Sequence, residues 1–128
     1  MESSNSINRR KLIKSFGYAW TGIKDMLRTE QNSRIHLIVA ISVVAAGFLF
    51  RIETWEWCVI ALCIALVFAA EALNTVLEKL TDHLFPERHE TARAAKDIAA
   101  GAVLICAMIS VVCGLLIFLP KLVHLVTM

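Results

Sequence analysis

Glu71, Asn74, Glu78 and Asp82 stand at i, i+3, i+7 and i+11, so a helix gathers them into one stripe of carboxylates and an amide. Leu73, Val76, Leu77 and Leu80 take the other directions. The stripe begins directly after 14 uncharged residues, Trp57 to Ala70. An ionisable side chain costs about 2.5–3.5 kcal/mol at the centre of a hydrocarbon layer and less toward its edge, so it faces protein, water or a bound ion. Glu71 is therefore a candidate general base, whereas Asp82 and Lys79 taken alone only mark where a helix meets water. Lys96 and Asp97 precede a further apolar run, and Glu30 closes an N-terminal amphipathic segment. Carboxylates from two elements with a lysine suit a magnesium–phosphate site. Mg²⁺ takes one or two carboxylates and completes its octahedron with phosphate oxygens and water, and a lysine offsets phosphate charge. Neither GxxxxGK[ST] nor GxGxxG occurs, so nucleotide binding would follow another scheme.

The elements that must position these groups belong in a membrane. The 128 residues make one domain, 58% hydrophobic and only 19% charged. Residues 1–8 are polar and expected to fray. From about residue 9 to 28, Leu12, Ile13, Phe16, Trp20, Ile23 and Leu27 recur at helical spacing among basic residues, the pattern of an amphipathic helix lying on a membrane surface. Gly17 and Gly22 weaken it and suggest a kink or a close contact. Leu37–Phe50 and Trp57–Ala70 are each 14 residues without charge and extend into spans over about 35–50 and 56–84, joined by a short hairpin with Trp55 and Trp57 as interface anchors. The 22 uncharged residues Ile98 to Leu119 make a third span over about 97–119, ended by Pro120 and Lys121. Small residues from Ala94 to Ala102 suit close helix packing.

Eleven of the thirteen basic residues precede the first span or lie between the second and third, which places the N-terminus and the stripe in the cytoplasm. A net charge of +2, distributed this way, does not point to nucleic acid. Cys58, Cys63, Cys106 and Cys113 sit inside apolar runs with no CxxC and are read as buried packing residues. No secretory signal pattern opens the chain. His36, His83, His89 and His124 lack ligand spacing and are read as interfacial or packed, with His89 in the charged loop as the exception.

EALNTVLEKLTD followed by HETARAAKDIAAGAVL strongly resembles the small prokaryotic diacylglycerol kinases and undecaprenol kinases, and the likeness extends to GYAWTGIK and TEQNSRIHL. It covers about Arg10 to Leu116. The resemblance implies a homotrimer of three-span protomers in the bacterial cytoplasmic membrane, with active sites shared between neighbours and transfer of the γ-phosphoryl of ATP to a lipid hydroxyl. By position, Glu30 and Glu78 match the family's magnesium-binding acids, Glu71 its proposed base and Asn74 the amide beside it. Lys96 and Asp97 match the pair that engages phosphates. Lys14, Tyr18 and His89 fall near nucleotide contacts, and Lys11 falls where the family often has arginine. His36 and Ala100 depart from the diacylglycerol-specific pattern, which has an acid and a serine there; RIHL with KDIAAGAVL resembles the branch that includes undecaprenol kinases. The alternative from another class is a non-enzymatic scaffold or small transporter subunit, using the stripe for oligomer contacts or an ion path.

Overall fold

The computed structural model describes residues 7–128, and the segment at 1–6 expected to fray lies outside the described residues. Four helices follow one another: α1 (Arg9–Thr29), α2 (Gln31–Phe50), α3 (Thr54–Leu84) and α4 (Glu90–Thr127). Each of the last three is long and apolar enough to cross a bilayer. α3 and α4 form an antiparallel pair, α2 packs on α3, and α1 touches the others only sparingly.

α1 begins at Asn8, whose side chain accepts from the Lys11 backbone N–H at 3.3 Å. It is continuous through Gly17 and Gly22, and a Cβ at either would meet nothing within 4 Å, so neither glycine serves a close contact among the described residues. Only Met26 of α1 is buried; Leu12, Ile13, Phe16 and Trp20 lie exposed, an apolar face that nothing else in the described chain covers. That is the geometry of a helix resting on a membrane surface. A single extended residue, Glu30 (φ −103°, ψ 114°), turns the chain into α2, which therefore starts four residues earlier than position 35.

At the other end of α2 the backbone closes tightly. Arg51 takes the left-handed conformation (φ 51°, ψ 55°), and the Ile52 N–H donates to the Gly47 carbonyl at 3.1 Å. Gly47 is required by its neighbour: a Cβ there would stand 2.6 Å from the Trp57 ring. Ile52, Ile60 and Ile117 make the buried apolar core at this hairpin end, with Phe50 against Phe118 at 6.0 Å between ring centroids.

α3 ends where the Phe85 N–H donates to the Thr81 carbonyl, one residue before Pro86. α4 departs most from expectation. It starts at Glu90 and does not stop at Leu119, but runs through Pro120 and Lys121 to Thr127. Proline removes one backbone hydrogen bond. The apolar sequence resumes at Leu122 and Val123, and Lys121 is held by Glu56 of α3 at 3.0 Å, so the helix continues. The four cysteines are free; Cys58 is exposed and the others half-buried, so burial does not hold for Cys58.

Candidate active site

Polar side chains concentrate at the end of the bundle opposite the hairpin core. Glu71 is 3% exposed, on the inner line of α3 that also buries Ile60, Val67 and Thr75. Leu73, Val76 and Leu80 point outward, as the helical period requires. A carboxylate so buried needs a partner. It has one: His36 of α2 brings its Nε2 to 3.2 Å from Glu71 Oε1.

This contact fixes the register of the antiparallel α2–α3 pair. Toward the α3–α4 loop, one turn from the pair, come Ser33 on α2 and Thr75 on α3, both buried and both with hydroxyls that lack a hydrogen-bond partner in the described structure. Two turns out come Glu30 and Glu78, six and seven residues from His36 and Glu71. At 1.5 Å per residue these acids stand about 9 and 10.5 Å along the axes, at one depth on adjacent elements. Both are half-buried. Asn74 lies between Glu71 and Glu78 and its Oδ1 is buried without a partner, an oxygen left for a ligand or water. Among the described residues no three His, Cys, Asp or Glu side chains gather as a self-sufficient metal site. Two acids with the remaining positions left to phosphate and water is the donor set Mg²⁺ favours, and in that sense Glu30 and Glu78 fit it.

Lys96, half-buried on the first turns of α4, donates to Asp82 Oδ1 at 2.6 Å. Asp97 is exposed beside it. The two line an open cleft of about 420 Å³ beneath the α3–α4 loop, together with Phe85, Arg88, His89 and Arg93. His89 caps α4: its Nδ1 accepts from the Ala92 N–H at 3.3 Å, so the neutral ring carries its proton on Nε2. Its ring also lies 4.5 Å from that of Phe85. Arg88, Arg93 and Lys96 line this cleft alongside the carboxylates of Asp82, Glu87 and Asp97, so it offers cations that could meet phosphate and acids that could hold them in place. Lys11, Lys14 and Tyr18, in contrast, are exposed along α1, and their side chains make no hydrogen bond or ion pair among the described residues.

Three residues stand at this end that sequence reasoning did not bring to the site. In the sequence Arg88 and Arg93 speak only to orientation, and only the folded loop brings them to one cleft. His36 reads as interfacial from its lack of ligand spacing, yet the sequence carries a further signal. Two uncharged runs of equal length, Leu37–Phe50 and Trp57–Ala70, joined by a short hairpin, place the residues that flank them, His36 and Glu71, at the same depth.

The prokaryotic diacylglycerol kinase family model matches residues 17–118. An undecaprenol kinase of Bacillus subtilis is 46% identical over 118 residues, covering 92% of this chain and 94% of its own. A diacylglycerol kinase of a Synechocystis species is 41% identical over 89% of this chain and 66% of its own, and that of Escherichia coli K12 is 26% identical over 86% and 90%. A scaffold or transporter subunit is set aside by these likenesses. With its three membrane-length helices and its buried carboxylate, the chain belongs to the prokaryotic diacylglycerol kinase family and is a lipid kinase.

Proposed function

We propose that this protein phosphorylates undecaprenol, transferring the γ-phosphoryl of ATP to the lipid hydroxyl at the cytoplasmic face of the bacterial inner membrane, with Mg²⁺ and as a homotrimer. The observation that carries the reading is the buried Glu71, set inside the apolar layer below a level of two acids and a cleft that holds Lys96, Arg88 and Arg93. An acceptor whose tail stays in lipid reaches Glu71 from the side, while a nucleotide arrives from water at the loop end. The 46% identical undecaprenol kinase favours that alcohol over diacylglycerol.

Phosphoryl transfer asks the protein for positioning and charge compensation rather than covalent chemistry. In this reading Glu71 takes the proton of the acceptor hydroxyl as that oxygen bonds to the γ-phosphorus, and the bond to the β–γ bridging oxygen breaks to leave ADP. Asn74 holds the reacting oxygens beside it. Glu30 and Glu78 would hold Mg²⁺, which when bound neutralises phosphate charge. Lys96 leaves Asp82 to meet the phosphates, Asp97 orders Lys96, and His89 with Lys11, Lys14 and Tyr18 contacts the rest of the nucleotide. The uncovered apolar faces of α1 and α4 support assembly with further copies, and eleven of thirteen basic residues on one side support an N-terminus in the cytoplasm.

The test is a mixed-micelle assay with γ-labelled ATP and Mg²⁺, offering undecaprenol and diacylglycerol side by side. Label should enter undecaprenyl phosphate faster. Faster labelling of diacylglycerol would reassign the acceptor. Glu71→Gln should lower turnover by at least about 10²-fold with assembly and ATP binding kept; full turnover in that variant would remove Glu71 as the base.

A further inference from the structure

Glu71 cannot place itself. Its side chain has three rotatable bonds, and Val67 and Thr75 on the same helix line offer it no ionic partner. Within the described residues the only charged or ionisable group at ion-pair distance is His36, 3.2 Å away on a different helix. The imidazole is 24% exposed while the carboxylate is 3% exposed, so His36 stands between the buried acid and the surface of the bundle. It meets only Oε1, and no other ion pair or hydrogen bond in the described structure takes Oε2.

We propose that His36 is the positioning residue of this kinase: its imidazole, with Nε2 3.2 Å from Oε1 of Glu71, holds the carboxylate in one rotamer with Oε2 left for the acceptor hydroxyl. This rests on the reading of Glu71 as the base. The arrangement ties the base to α2 as well as α3, so the acid's position depends on helix register and not on its own side-chain preferences. A displacement of about 1 Å at a reacting group costs on the order of 10²-fold in rate, and loss of a supporting polar contact about 10–100-fold. His36 touches neither substrate in this scheme, and its effect falls on turnover rather than on nucleotide affinity.

A merely structural role is separated from positioning by reach. Glutamine places its amide nitrogen where Nε2 stands, whereas asparagine reaches only as far as Nδ1. His36→Gln, His36→Asn, His36→Leu and Glu71→Gln are compared with the unsubstituted protein, using whichever of undecaprenol and diacylglycerol that protein phosphorylates faster. Steady-state kcat and the KM for ATP are measured on material that elutes as the unsubstituted protein does. The expected result is kcat lowered about 10–100-fold in His36→Leu and His36→Asn, His36→Gln within about threefold of the original, and an unchanged KM for ATP in all three. Should His36→Leu fail to fold, the Gln–Asn contrast carries the test. Full kcat in His36→Leu or His36→Asn with an inactive Glu71→Gln would overturn the proposal and leave the base reading standing. Equal loss in His36→Gln and His36→Asn, or a loss confined to the KM for ATP, would also overturn it. Full turnover in Glu71→Gln would remove the base reading and the proposal with it.

Discussion

The two ends of the α3–α4 pair are each closed by a lysine–carboxylate contact, and the shorter contact is the weaker one. Lys96 meets Asp82 at 2.6 Å beside the loop, with side chains 36% and 67% exposed. Lys121 meets Glu56 at 3.0 Å near the hairpin, with side chains 30% and 5% exposed. Water and salt screen the first, so little is lost when it opens. The second involves a carboxylate already out of water, and that acid also accepts from the Glu53 backbone N–H at 3.0 Å. Breaking it strands a buried charge. The lesson is that solvent access, not separation, decides which pair is structural and which is free to exchange partners. Twenty-five to twenty-six residues, roughly 38 Å of helix, lie between the two contacts, enough to bracket a hydrocarbon core of about 30 Å. One end is anchored, and in the proposed function the other releases its lysine to a phosphate.

Substitutions on the two contacts sharpen this contrast. Lys96→Met should show the largest effect, lowering kcat by about 10²-fold or more while the thermal midpoint in detergent moves little; near-normal turnover would break the assignment of that end to chemistry. Glu56→Ala should do the reverse, leaving kcat per folded molecule near the original and lowering the midpoint by roughly 5–10 °C. Replacing both partners, Glu56→Leu with Lys121→Leu, should recover most of that loss, because two apolar groups need no charge compensation. A double variant as unstable as the single one would show that the pair acts through something other than buried charge. Asp82→Asn should be the smallest change, with turnover within about twofold of the original and an unchanged midpoint; a large loss of stability there would erase the distinction between the ends.

Hydropathy and helical period made much of the fold legible. Fourteen-residue and 22-residue uncharged runs announce three spans, and the apolar period of α1 announces a surface helix. Glu71 stood out because a carboxylate directly after such a run is expensive in lipid unless something answers it. The end of α4 was not legible, because Pro120 is a local stop signal that Lys121 and the following apolar turn outweigh only when α3 is beside them. Nor was the meeting of Arg88 and Arg93 in one cleft, which depends on the path of the α3–α4 loop.

The sequence by itself determined that this chain is helical, membrane-borne and equipped with acids at the edge of its apolar runs, since the period of side chains and their cost of transfer from water are properties of each segment alone. Only the tertiary structure decided that His36 answers Glu71 and that Lys96 rests on Asp82. Those outcomes depend on the rotation of each helix about its axis and its slide against a neighbour, which packing between helices sets.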